Sequence, residues 1–97
     1  MPKLVFTNEA KSVLEDLASQ PQFEKKLRKV RKALAFLEND PRHPGLNSHK
    51  YTSLRGEAGQ DVWDSYVENQ TPSAWRIFWH YGPGDHQITV ITIGPHP

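Results

Sequence analysis

The segment AWRIFWHY, residues 74–81, places one cation and one titratable ring inside the most aromatic stretch of the sequence. Successive side chains of a strand point to opposite faces, so Arg76 and His80 share a face with Phe78, while the two tryptophans face the other way. The tryptophan side is continuously apolar and is expected to meet the core. Arg76 and His80 would then lie on a solvated face about 13 Å apart, a spacing suited to successive groups of an extended ligand.

The same pattern also allows a purely structural explanation. Arg76 would pair across strands with Asp64 or Glu68, and His80 would be a surface residue. Spacing does not separate this explanation from a binding site.

Charge is distributed unevenly, although the net charge is only +1. Residues 21–55 contain nine basic and three acidic side chains, whereas residues 56–97 contain one basic and five acidic side chains. A basic middle can steer a polyanion to one side of the molecule. Alternatively, these lysines and arginines only solvate an exposed helix face.

Length and composition predict a single domain over residues 1–97. There is no cysteine, which excludes disulfides and thiolate chemistry and fits a reducing compartment. The sequence has no long apolar segment and no signal-peptide pattern at its start, so we expect a cytoplasmic protein without a membrane association.

Periodicity predicts a strand, two helices and three further strands. The strand covers 3–7, and the helices cover 8–19 and 21–38, with apolar residues at helical spacing. Residues 46–59 are polar and are expected to be irregular. Strands at 62–68, 73–82 and 86–94 are separated by the turn-rich linkers NQTPS and GPGDH, which predict two consecutive hairpins.

This order predicts an α+β fold. The N-terminal strand, a helical hairpin and a three-stranded antiparallel meander would form one sheet with both helices on one face. The other face would be open to solvent.

Four short motifs resemble the RelE/ParE superfamily of toxins from type II toxin–antitoxin systems. They are a Leu–basic–Gly turn, a strand with an aromatic–acid pair, an arginine-centred aromatic strand and a last strand with a histidine-containing tail: LRG (54–56), VWDSYV (62–67), AWRIFW (74–79) and ITVITIGPHP (88–97). The order of elements also matches, so the resemblance covers nearly the whole chain and implies a RelE-like fold.

The resemblance implies a toxin that cleaves mRNA, inhibits translation and is neutralised by a cognate antitoxin protein. RNA, free or as ribosome-bound mRNA, would be its other partner. Two alternatives stay open: a DNA gyrase inhibitor of the ParE kind, and a catalytically decayed protein that only binds an antitoxin.

By position, the resemblance assigns catalytic roles to three residues: Arg55, Arg76 and His96. Cleavage of RNA without a metal needs a base for the 2′-hydroxyl, an acid for the leaving oxygen and cations for the phosphate. The two arginines would hold phosphate, and His96 would be the acid or base. Four further residues are expected to contact RNA: Lys50, His49, Tyr66 and His80.

Two positions depart from the pattern of the family. Tyr66 stands where many RNA-cleaving relatives have a strand arginine, and an aromatic residue just beyond the last strand is expected to be missing. The histidines show no metal-ligand spacing, so no metal site and no cofactor are predicted.

Overall fold

A computed structural model describes residues 1–69, 71 and 73–96. These residues form two α-helices and five β-strands: β1 (Lys3–Phe6), α1 (Asn8–Ser19), α2 (Glu24–Asn39), β2 (His49–Arg55), β3 (Asp61–Tyr66), β4 (Trp75–Tyr81) and β5 (Gln87–Pro95). The predicted α+β arrangement, with a helix pair ahead of an antiparallel meander, is confirmed.

The two helices form for the local reasons that the sequence indicates. The hydroxyl of Thr7 caps α1 by accepting a hydrogen bond from the Ala10 N–H at 3.1 Å. The buried stripe of α2 is apolar and repeats at helical spacing: Leu27, Val30, Ala33, Leu34 and Leu37. The predicted start of α2 was three residues early, because Pro21–Phe23 forms a 3₁₀ turn before the α-helix begins.

The sheet of the described residues has the strand order β1-β5-β4-β3-β2. β1 pairs in parallel with β5, because the helical hairpin carries the chain over the sheet before the meander begins. β3 pairs with β4, and β4 with β5, both antiparallel, which confirms the two hairpins. Two residues of the first predicted linker, Gln70 and Pro72, lie outside the described residues.

The prediction that residues 46–59 are irregular was wrong for residues 49–55. These residues form β2, an edge strand that pairs antiparallel with β3 and shifts register between Lys50 and Arg55. Almost every side chain of β2 is exposed. An edge strand without a buried face has no apolar alternation, which is the signal used to recognise strands.

The main core lies between the helices and one sheet face. Ile77, Trp79 and Ile93 are fully or almost fully buried there against both helices, as the apolar side of the central strand predicted. In the described part of the chain, no helix is both long enough and apolar enough to cross a bilayer.

The opposite sheet face, called here the helix-free face, carries the alternate side chains of β3 and β4. These are Val62, Asp64, Tyr66, Arg76, Phe78 and His80. The expectation that the alternate residues of β4 are solvated was wrong: Phe78 and His80 are buried, and only 13% of the Arg76 side chain is exposed. Neighbouring aromatic and loop residues cover this face and form a second, smaller packed layer.

Candidate functional site

A buried carboxylate lies at the centre of the helix-free face. The Oδ1 atom of Asp64 is 3.6 Å from Arg76 Nε, and its Oδ2 atom is 3.8 Å from His96 Nε2. Asp64 and Arg76 are diagonal neighbours on adjacent strands, because Asp64 lies opposite Phe78 and Arg76 lies opposite Tyr66. His96 follows directly on β5. We call the seven residues gathered here the Arg76–His96 site: His49, Tyr51, Asp64, Tyr66, Arg76, Phe78 and His96.

Contacts on three sides fix the guanidinium of Arg76. Its Cζ atom lies 3.8 Å from the centre of the Tyr66 ring, a stacked cation–π arrangement. One terminal nitrogen donates to the backbone carbonyl of Glu68 at 2.9 Å. Arg76 Nε is buried and has no hydrogen-bond partner among the described residues, so its charge is balanced by the more distant Asp64 carboxylate. The alternative explanation of Arg76 as a cross-strand partner is therefore confirmed for Asp64, and Glu68 contributes its backbone carbonyl.

His96 is held at the edge of the same site. Its backbone N–H donates to the carbonyl of Ala74 at 3.0 Å, so the pairing of β4 and β5 extends to this residue. Its ring packs near Tyr51 and Phe78, with centroid distances of 5.9 and 6.5 Å. Because 41% of the side chain is exposed, the imidazole is both positioned and accessible.

A second histidine approaches from the other side. His49 lies opposite Asp64 in the pairing of β2 with β3, and its ring is 6.0 Å from the Tyr66 ring. The site therefore has a titratable ring on each flank of the Asp64–Arg76 pair. This arrangement can supply one proton donor and one proton acceptor to a substrate lying across the face.

An uncharged groove of about 390 Å³ adjoins His96. Tyr51, Leu54 and Phe78 form one wall, and Gly94 and Pro95 border it. Gly94 lies opposite Arg76 in the strand pairing, and a Cβ atom added there would meet nothing within 4 Å. The missing side chain leaves room for a ligand beside the guanidinium.

Three of the predicted site residues lie elsewhere. Arg55 and Lys50 both pair with Asp61, Lys50 at 3.3 Å. Asp61 is the first residue of β3, next to the turn that joins β2 to β3. His80 is buried beneath the backbone of Gly56, and its Nδ1 atom is 2.7 Å from the carbonyl oxygen of Tyr81. The structure thus brings together Arg76, His96, Tyr66 and His49, but not these three.

Sequence reasoning did not assign Asp64 or Phe78 to the site. Asp64 was considered only as a structural partner of Arg76, and Phe78 only as a strand residue. Asp64 and Phe78 belong to the site because both lie close to His96. His96 follows β5, and the residue pattern of β3 and β4 does not indicate that it lies near them. Among the described residues, no group of three or more potential metal-ligating His, Cys, Asp or Glu side chains occurs.

The basic surface of α2 is partly neutralised by Glu68. This carboxylate binds Lys26 at 2.7 Å, lies 3.6 Å from Lys29, and accepts the Trp75 N–H at 3.2 Å. Burial alone would raise the pKa of Glu68, but the Lys26 hydrogen bond, the Trp75 N–H and the positive charge of both lysines outweigh it and hold the pKa below its ordinary value.

Comparison with solved structures gives close agreement over the whole chain. A YoeB/ParE toxin from Agrobacterium tumefaciens superposes with a TM-score of 0.70 at 15% identity, covering 98% of this chain and 99% of the other. The chain has the RelE/ParE fold.

Other structures with the RelE/ParE fold agree similarly. The archaeal RelE–RelB complex from Pyrococcus horikoshii gives a TM-score of 0.65 at 16% identity, covering 97% of this chain and 93% of the other. The RelBE toxin–antitoxin complex from E. coli gives 0.61 at 15% identity, covering 100% and 99%. No protein-family model matches the chain, and no curated protein matches it in sequence.

Proposed function

We propose that this protein is the toxin of a type II toxin–antitoxin system and that it cleaves RNA at the Arg76–His96 site. The observation that carries the proposal is the convergence of Arg76, His96 and His49 around Asp64 on the helix-free face of a RelE/ParE fold. Similar structures were solved as toxins bound to antitoxins, RelE with RelB and YoeB with YefM, which supports a small antitoxin protein as partner.

The proposed reaction is attack of the RNA 2′-oxygen on the adjacent phosphorus. The P–O2′ bond forms, the P–O5′ bond breaks, and the products are a 2′,3′-cyclic phosphate and a 5′-hydroxyl. One histidine of the His96–His49 pair removes the 2′-hydroxyl proton, and the other protonates the leaving 5′-oxygen. Arg76 stabilises the negative charge that builds on the phosphate.

The surrounding residues orient these groups. Asp64 holds Arg76 on one oxygen and faces the His96 imidazole with the other, so both side chains keep fixed positions before substrate arrives. The uncharged groove formed by Tyr51, Leu54 and Phe78 accepts the base next to the scissile phosphate. Tyr66 takes the place of a family arginine and stacks on Arg76 instead of binding phosphate itself.

The test is induced expression in bacteria, followed by mapping of mRNA 5′ ends and growth measurement. The native chain should arrest growth and generate new transcript ends. His96→Ala and His49→Ala should each lower the cleavage rate at least about a hundredfold, because one general acid or base typically accelerates a reaction by that factor or more. His86→Ala, an exposed histidine in the β4–β5 turn, is the matched control and should cleave normally. Growth arrest with intact transcripts would contradict the proposal.

One observation favours a second candidate, a gyrase inhibitor of the ParE kind. The charge of Arg76 is balanced by the buried carboxylate of Asp64, and Tyr66 stands where many RNA-cleaving relatives have an arginine. The helix-free face therefore offers a phosphate fewer unpaired positive charges than the corresponding face of those relatives. In that case, purified gyrase would lose supercoiling activity when the protein is added, and His96→Ala would still arrest growth.

A further inference from the structure

A second cleft lies on the opposite side of the sheet from the Arg76–His96 site, beyond the end of α2. It has a volume of about 550 Å³, within the range of small-molecule pockets. The loop that follows α2 forms one side, and aromatic residues of β3 and β4 form the other. We call it the tryptophan cleft; it is lined by Pro41, Arg42, His43, Pro44, Asn47, Ser48, Trp63, Trp79 and Tyr81.

The aromatic wall of the tryptophan cleft is rigid at its base and accessible at its rim. Trp79 is 1% exposed, and its indole N–H donates to the Ser65 hydroxyl at 2.8 Å. The Trp63 ring stacks on it with an interplanar angle of 24°, and the Tyr81 ring meets it edge-on at 5.0 Å. Tyr81 is 49% exposed, so a flat apolar ligand can reach rings that are already held in place.

The polar wall of the tryptophan cleft favours an anion. Its lining among the described residues includes the cationic side chain of Arg42 and contains no carboxylate. Arg42 is exposed, and within residues 1–69, 71 and 73–96 its guanidinium forms no ion pair. The backbone N–H of Arg42 donates to the Asp40 carboxylate at 2.9 Å, which fixes the start of the loop.

Together, aromatic faces and an available guanidinium match the two parts of a nucleotide. A base stacks on aromatic rings regardless of its identity, and a guanidinium forms paired hydrogen bonds with a phosphate. The edge strand β2 connects this cleft with the Arg76–His96 site. Its neighbouring residues His49 and Lys50 face opposite sides, and Lys50 Nζ lies 5.9 Å from the Trp63 ring.

We infer that the tryptophan cleft binds a flanking nucleotide of single-stranded RNA that passes over the β2 edge from the Arg76–His96 site. The identity of the ligand as RNA rests on the proposed function. In this arrangement Tyr81 and Trp63 stack on the base, Arg42 binds a phosphate, and Lys50 lies where the strand crosses the edge.

The test uses a fluorescein-labelled 2′-O-methyl oligonucleotide of about eight nucleotides, which cannot be cleaved because it lacks the 2′-hydroxyl nucleophile. Fluorescence anisotropy gives its Kd with the full chain. Tyr81→Ala and Arg42→Ala should each raise the Kd about tenfold. Tyr81→Phe should bind with the Kd of the native chain, because the aromatic ring that stacks on the base remains. Lys11→Ala, which removes an exposed cation from α1, is the matched charge control and should leave the Kd unchanged.

The result separates this inference from the proposed cleavage. If the oligonucleotide binds with the expected sensitivity to Tyr81 and Arg42 but transcripts stay intact in cells, the cleft assignment stands and the nuclease proposal fails. If cleavage occurs but both alanine variants bind as tightly as the native chain, the cleft does not bind RNA. The same conclusion follows if the oligonucleotide does not bind at all.

Discussion

At the scale of single residues, the Arg76–His96 site depends on one buried carboxylate. Asp64 has a 7% exposed side chain and faces Arg76 on one side and His96 on the other. Neither distance lies within hydrogen-bond range, so Asp64 attracts the Arg76 guanidinium without occupying its N–H donors. A phosphate that binds Arg76 therefore competes with Asp64 for the guanidinium, and this competition would limit substrate affinity.

Replacing Arg76 by alanine should lower the stability of the protein more than an alanine substitution at a surface residue does. We expect the free energy of unfolding to fall by about 1–3 kcal/mol, because the change leaves Asp64 buried without its nearest cation and frees the Glu68 carbonyl. Urea denaturation followed by circular dichroism measures the difference.

Arg55→Ala is the matched control for this change. It also removes an arginine–aspartate pair, but one whose side chains are about half exposed, so the loss should stay below about 1 kcal/mol. Equal small losses in both variants would show that Arg76 is solvated and that the site is not packed as described.

Residue types predicted part of the site, but not its boundaries. Arg76 and His96 could be assigned to this cluster because the motifs that resemble the RelE/ParE superfamily fall at a central strand and at the end of the last strand. Lys50 and Arg55 could not be placed, because the register shift in β2 turns both toward Asp61. The burial of His80 depends on Gly56, which is distant in sequence and carries no side chain to signal the contact.

At the scale of elements, strong periodicity decided what the sequence could predict. α1 and α2 have apolar stripes, and α1 also has a capping residue in Thr7, so their positions followed from the sequence within a few residues. β2 has neither, because it lies at the sheet edge and its side chains are solvated. Its pairing with β3 is a tertiary feature, and β2 contributes two rings to the site, His49 and Tyr51.

The link between α2 and the end of β3 should depend on pH through Glu68. Its pKa is lowered in the folded protein from its ordinary value of 4.5, so folding favours the charged carboxylate. This contribution is present above the unfolded pKa and is lost as pH falls through the lower folded value. Glu68→Gln should therefore remove part of the decrease in unfolding free energy seen on acidification.

Urea denaturation of both proteins between about pH 3 and pH 6 measures this effect. Glu24→Gln provides the comparison, because its side chain is 76% exposed and pairs with Arg28 in an i,i+4 contact on the helix surface. The stability curves of native protein and Glu24→Gln should run parallel, while that of Glu68→Gln should be flatter. A Glu68→Gln curve parallel to the native curve would mean that the lysine contacts do not persist in solution.

At the scale of the whole molecule, the sheet separates two packed layers of unequal size. The larger layer contains the helices and the tryptophan side of β4. The smaller layer lies on the helix-free face, where Val62 is fully buried and Phe78 is 4% exposed. A substrate would therefore meet a firm aromatic surface with charged groups at fixed points, which suits recognition of unpaired nucleotides.

The smaller layer should contribute strongly to global stability. Phe78→Ala is expected to lower the free energy of unfolding by about 3–5 kcal/mol, because it opens a cavity beneath Tyr51 and His96. A domain of this size is stable by only about 5–15 kcal/mol, so the variant would lie close to its unfolding threshold. Phe23→Ala makes the same chemical change at a side chain that is 36% exposed, and its loss should be clearly smaller. Chemical denaturation of the two variants compares the two layers directly. If both variants lose equally little stability, the helix-free face is solvated, and the fixed geometry that the proposed cleavage at Arg76 and His96 requires does not exist.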